Sequence, residues 1–428
     1  MKQLIKRPYI RDMFRTTIQR GILLLFAACC CTSQAQDFST YFTDRTLRLD
    51  YSLVGNAQQQ TIALDELYSL PNWWGKRIHL SETPVEGNAQ VKVFSTTGEL
   101  IYKQSFSTLF QEWLSYPEAQ TVNRSFEQVL LVPYPKDSVR IQVELYNNRR
   151  EVMTQLSHII HPSDILIHPI GETGVQPYRI IQQPKDSLQC VNIAFVAEGY
   201  QEHEMKTFLA DVDTALVALF AHEPFKSNRD AFRIVAVESP SQDTGVSEPG
   251  NHLWRHTAVG SQFDTFYMPR YLTTLHMKQL HNTLAGIPYD HIIVLANTSH
   301  YGGGGILNFY NLSMTHHRLY KQVVVHEFGH SFAGLADEYA YENEQIPMYP
   351  HDVEPWEPNI TTLVNFYSKW SDLIGQDPEA GLYEGAGYNT EGIYRPYFDC
   401  RMRTNENPEF CPVCRQAIQH VIDFYTKP

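Results

Sequence analysis

"HEFGHSFAGLADEY", residues 326–339, sets two histidines four apart with a glutamate after the first, then a glycine and an acidic pair. Four residues span about 400° of helix, so His326 and His330 project from one face a single turn apart. That is the spacing at which one helix offers two imidazoles to a tetrahedral metal. Glu327 lies on the same side, placed to take a proton from a water at the metal without ligating it. Val325, Phe328 and Phe332 form the apolar stripe that lodges such a helix in a core. Gly334 suits the left-handed turn that ends a helix and sends the chain back beneath the histidines. A carboxylate arriving there completes three protein ligands and leaves a fourth position open. Counting three residues on from the glycine favours Asp337 as that ligand. Glu338 is the alternative, and otherwise orients a ligand from outside the coordination sphere. A site made of His326, His330 and Asp337 suits Zn2+, with Glu327 as general base.

Around this stretch the pattern is one of strands alternating with helices. "VNIAFVAEGY" (191–200) opens as a buried strand and leads into a helix whose Met205, Phe208, Leu209, Val212, Leu216, Leu219 and Phe220 recur at helical spacing. "FRIVAV" (232–237) and "HIIVLA" (291–296) read as further strands, with a second helical stretch over about 262–284 between them. After "YGGGG" comes "ILNFY", a candidate edge strand, then a helix from near His317 that carries the motif. The chain closes on a helix, "CPVCRQAIQHVIDFY" (411–425). The alternation implies an α/β layer with a largely parallel sheet. The run Gly302–Gly305 reads either as a flexible turn or as bare backbone against which an extended peptide can lie.

The region before it is different. "TLRLDYSLV" alternates Leu47, Leu49, Tyr51 and Leu53, "SVRIQVELY" alternates Val139, Ile141, Val143 and Leu145, and "QVKVFSTTGELIYKQ" reads as two strands about Thr97-Gly98. This is an antiparallel β-sandwich with no catalytic constellation of its own. The fold class is therefore multidomain, with a signal segment at 1–35, an N-terminal β-sandwich at 36–162 and an α/β domain at 163–428, for which the motif's resemblance to that of the metzincin peptidases implies a zincin-type, metzincin-like catalytic fold.

Residues 1–35 carry six basic groups against one acidic and run into "GILLLFAACCC", the shape of a secretory signal. Cleavage after Ala35 is the natural reading, and lipidation at Cys29 is an alternative that would attach the chain to a membrane through its N-terminus. Without that segment the net charge goes from −13 to −18, which argues against nucleic acid as a partner. Export leaves Cys190, Cys400, Cys411 and Cys414, read as one or two disulfides. A second zinc site at Cys411-x-x-Cys414 would need two more ligands, and only Cys400 lies near in sequence.

"HEFGHSFAGLADEY" together with "DCRMRTNENPEFCPVCRQAI" (399–418) resembles the bacterial IgA-peptidase family of secreted zinc metallopeptidases. "FVAEGY", "TGVSEP" and "NTSHYGGGG" add to the likeness, which spans roughly 165–428. The region ahead of it looks like the extra N-terminal domain of Bacteroides-type members. The resemblance implies a zinc endopeptidase acting on a protein or peptide, with His326, His330 and Asp337 as ligands and Glu327 as base. It also implies a turn at Met402 beneath the metal, where the plainer alternative is a core methionine. Tyr339, Tyr388 and Tyr394 are candidates to steady an oxyanion. The competing readings are a surface binding protein with a structural zinc and a zinc hydrolase of other amide bonds.

Overall fold

Period-two runs become strands in the computed structural model, which describes residues 37–342 and 348–428. The expected signal segment at 1–35 and its lipidation alternative at Cys29 lie outside the described residues. A short helix α1 (Phe38–Tyr41) leads into β1 (Phe42–Gly55), β2 (Gln60–Pro71), β3 (Ala89–Phe94) and β4 (Leu100–Phe106). After helix α2 (Leu109–Trp113) come β5 (Arg124–Pro135), β6 (Val139–Tyr146), β7 (Val152–Ile160) and β8 (His168–Pro169). They form two four-stranded sheets, ordered β5-β1-β2-β8 and β4-β3-β6-β7. Every pairing in them is antiparallel except β2 with β8. Leu47, Leu49, Tyr51 and Leu53 on β1 and Val139, Ile141, Val143 and Leu145 on β6 enter one shared core.

The other face of β1 departs from simple alternation. Arg48 and Asp50, expected on a solvated side, are fully buried and form a two-pronged ion pair with both contacts at 2.7 Å. The guanidinium also donates to Asn282 Oδ1 at 2.7 Å and to the Lys278 carbonyl at 3.3 Å. The strand is covered on both faces because the C-terminal part of the chain packs over it.

That part is built on a six-stranded sheet. Its elements in chain order are β9 (Tyr178–Gln182), β10 (Val191–Glu198), α3 (Met205–Leu219), β11 (Phe232–Val237), α4 (Met277–Thr283), β12 (His291–Ala296), β13 (Gly303–Ile306), β14 (Tyr310–Met314) and α5 (Tyr320–Ala333). The order is β13-β14-β12-β10-β11-β9, parallel through the middle and antiparallel at both edges. A hairpin of β15 (Tyr383–Ala386) and β16 (Asn389–Arg395) and a last helix, α6 (Pro412–Thr426), complete the chain. Alternate residues of β10 serve opposite faces, as pleating requires. Val191, Ile193 and Phe195 pack with α3, α5 and α6, while Ala194 and Val196 join the core of the N-terminal strands. The described residues pack as one compact unit.

Three expectations need correction. The stretch 262–284 is α-helical only over α4, with a single 3-10 turn at Thr265–Tyr267 before it. Its first half is drawn into bridges between Gln262 and Thr273 and between Tyr271 and Gly303, and Pro269 interrupts any helix there. The edge strand is not "ILNFY" but the glycine run itself, with the turn falling at Leu307–Phe309. The motif helix starts at Tyr320, not near His317.

Removing one partner of a fully buried pair strands a charge. Arg48→Ala should therefore destabilise the protein by about 3–5 kcal/mol in denaturant unfolding. Replacing Arg48 and Asp50 together by Met and Leu should cost far less. Equal losses in the two variants would show that the pair does not act as a unit.

Candidate metal centre

Helix α5 is held by a buried stripe that includes Val324, Val325, Phe328 and Phe332, and it stops where the sequence supplies a glycine. Gly334 takes φ +61 and ψ 32, a conformation that L side chains rarely adopt. The turn places the Leu335 carbonyl 2.5 Å from His330 Nδ1. On the preceding turn of the helix, His326 Nδ1 lies 3.0 Å from the Arg401 carbonyl. A carbonyl only accepts, so each Nδ1 carries the hydrogen and each Nε2 is left with a bare lone pair.

Those lone pairs converge. The two Nε2 atoms are 3.1 Å apart, and Asp337 Oδ1 stands 3.1 Å from one and 3.3 Å from the other. Oδ1 is buried and receives no hydrogen bond. Three acceptors in mutual contact repel unless a cation sits among them. Ligand atoms around a tetrahedral zinc are spaced by about 3.3 Å, so the residues fit the group. A proton meets the need only in part. Burial opposes charge on His330, yet Asp337 draws its imidazole up to about 9. Burial would likewise raise Asp337, but the histidines hold it below its usual range. One hydrogen cannot bridge three acceptors.

The structure brings Asp337, not Glu338, to the histidines. Asp337 Oδ2 accepts from the Tyr388 hydroxyl, which fixes the carboxylate's rotation. Glu338 points the other way, to Asn359 Nδ2 at 2.9 Å and Cys414 Sγ at 3.2 Å. Met402 is fully buried against α5, where a Cβ on Gly329 would come within 2.8 Å of its sulfur. The turn that contains it supplies the Arg401 carbonyl to His326.

Glu327 sits beside the triangle on the floor of a cleft of about 430 Å³. Burial pushes its carboxyl up, and the two histidines pull it back. The glycine run is explained here. A Cβ on Gly303 would stand 2.7 Å from Glu327 Oε1, and one on Gly305 would stand 2.2 Å from the Glu327 carbonyl. Strand β13 can lie across the motif helix only because it has no side chains there. Of the tyrosines, Tyr339 and Tyr388 line the cleft with rings edge to face at 5.4 Å, whereas Tyr394 is not among the lining residues. His316 pairs with Asp211 at 3.0 Å, away from the triangle.

The cleft also draws a carboxylate from the N-terminal region. Glu112, on α2 of the N-terminal region, accepts from the Tyr271 hydroxyl at 2.6 Å and lines the cleft. No local pattern marks it, because the chain reaches the cleft only through the packing of distant elements. The four remaining cysteines are all free thiols, so the expected disulfides are absent among the described residues.

The family described as IgA Peptidase M64 matches residues 180–379 and 375–422, more than half of the chain. A companion family, Peptidase M64 N-terminus, matches residues 37–157. The chain belongs to the IgA Peptidase M64 family, a family of metallopeptidases. No curated protein matches it.

Burial is the first cause that lifts Glu112 from 4.5 to about 7, with Tyr271 acting against it. An acid raised on folding binds its proton more tightly when folded. Its stabilisation is full below 4.5 and is lost as pH climbs through about 7. Between about pH 5 and about pH 8 the parent should lose up to about 3 kcal/mol that Glu112→Gln keeps. Identical pH slopes for the two proteins in thermal unfolding would refute this.

Proposed function

We propose that this chain is an exported zinc endopeptidase in which His326, His330 and Asp337 hold the metal and Glu327 is the general base. The observation that carries the reading is the triangle of three bare acceptors, with a half-buried carboxylate beside it on the floor of a cleft. A zinc ion bound there would supply a Lewis acid, polarising a carbonyl and making water acidic enough to attack at neutral pH. Glu327, its carboxyl raised by burial and restrained by the histidines, takes the proton from the attacking water and returns it to the leaving amine. Tyr388 fixes Asp337, and the carbonyls of Arg401 and Leu335 fix the imidazoles, so the ligands are oriented before any metal arrives. A purely structural metal would have no use for a base on an open face, which weighs against the binding-protein reading.

The substrate is a protein or peptide. Strand β13 is the edge of its sheet and runs beside Glu327 along the cleft. Its first residue is already bridged by Tyr271, so an extended chain would add along the rest of the strand. A motif helix beneath an edge strand, with Met402 turned under it, supports a zincin of metzincin-like type. The matched regions support a peptidase part over 163–428 preceded by an N-terminal domain over 36–162. Residues 1–35 are proposed to direct export, to the periplasm, the cell surface or the medium.

Glu327→Gln should keep its metal and its melting temperature while cleavage of a protein substrate falls by roughly 100-fold or more. His326→Ala and His330→Ala should each lose one equivalent of zinc relative to the parent. Full activity in the glutamine variant would remove Glu327 as base. Zinc lost with it would make Glu327 a ligand and reopen the role of Asp337.

A further inference from the structure

Behind the triangle lies a second group of ligand-type side chains that the peptidase reading does not use. Cys400, Cys411, Cys414 and Glu338 are all buried, and each offers one ligand atom within 4.8 Å of the others. Cys400 Sγ and Cys414 Sγ are 3.8 Å apart, and Glu338 Oε1 is 3.2 Å from Cys414 Sγ. A disulfide needs about 2.05 Å between sulfurs, whereas two thiolates on one tetrahedral zinc stand about 3.8 Å apart. Glu338 Oε2 is buried with no hydrogen-bond partner, and a fully buried carboxylate oxygen left bare is costly. We propose that Glu338, Cys400, Cys411 and Cys414 hold a second, structural zinc ion.

The sequence supplies each ligand from an element already constrained. Cys411 caps the start of α6 and Cys414 lies on its first turn, the two-residue spacing with which a chain end grips zinc. The Cys411 amide donates to Cys400 Sγ at 3.2 Å, the kind of contact that steadies a thiolate. Asn359 holds Glu338 Oε1 at 2.9 Å while its amide also pairs with the backbone of Ala336. The donor set, three sulfurs and one oxygen with no open position, suits zinc and closes the site to water. Binding displaces to solvent the protons that the three cysteines and the Glu338 carboxyl hold, and needs no oxidant, unlike a disulfide. The four negative charges of the ligands face the two positive charges of the metal and two buried guanidinium groups, since Arg395 acts on Glu338 and Arg401 on Cys400.

The site would brace the catalytic one. Glu338 follows Asp337 directly, and its amide donates to the Met402 carbonyl at 2.8 Å. Cys400 lies one residue before Arg401, whose carbonyl orients His326. A metal behind the turn would hold both Asp337 and that carbonyl in place.

The test uses the full chain with both active-site histidines replaced, His326→Ala with His330→Ala. This variant should retain one zinc equivalent where the parent holds two. Exchange of its zinc for cobalt should give thiolate-to-cobalt charge transfer in the near ultraviolet, abolished by a further Cys414→Ser. If that last variant fails to fold, the zinc content and cobalt spectrum of the double-histidine protein still decide. No metal in the double-histidine variant would overturn the second site. So would a cross-linked peptide joining any two of Cys400, Cys411 and Cys414 in a non-reducing digest of the parent. One zinc in the parent, fully kept by the double-histidine variant, would instead sink the catalytic assignment and leave this one standing.

Discussion

Two imidazole nitrogens and one carboxylate oxygen meet in this protein with at most one hydrogen to share among the three. Much of the surrounding structure exists to hold that unfavourable contact in place. The helix delivers the two nitrogens on one face, and the left-handed residue at Gly334 turns the chain so that Asp337 can arrive beneath them. Carbonyl groups from two separate segments, Arg401 and Leu335, decide which nitrogen of each ring carries its proton. Such an arrangement is stable as a unit only with positive charge at its centre. Its geometry is therefore a statement about what it is built to bind.

That arrangement depends on how α5 is packed. One side of the helix is apolar and sunk into the core shared with α3 and α6, the other is open to the cleft, and β13 crosses above it. The crossing is close enough that a methyl group at Gly303 or Gly305 would collide with Glu327 or its carbonyl. The bare strand thus does two things at once. It seals one flank of the carboxylate, and it leaves main-chain groups beside the cleft.

What could be seen in the sequence was what local spacing encodes. The interval between His326 and His330, the helix-ending glycine and the alternation in β6 each follow from the geometry of a single element, and all three appear as expected. What could not be seen depends on elements far apart in the chain. Arg48 and Asp50 look like solvent-facing positions of a strand until α4 covers them. Glu112 has no signature at all until α2 is laid against the cleft. The glycine run reads as a loop or a docking ledge, but its composition reflects the helix beneath it, a neighbour that spacing rules do not report. Cysteine counting under an assumption of export pointed to disulfides. Glu338, the residue that makes another outcome possible, stands too far away in sequence to be counted with them.

The placement of Glu112 has a consequence for how this chain can change over evolutionary time. A wall of the cleft comes from the N-terminal region, while the bare acceptors and the base come from the C-terminal part. The two parts are not modules that can be exchanged freely, because the core of the first continues into the central sheet of the second. Drift in the N-terminal region can reshape what the cleft admits without touching a single atom of the reacting centre. New preferences can therefore arise at a distance, with the chemistry left intact.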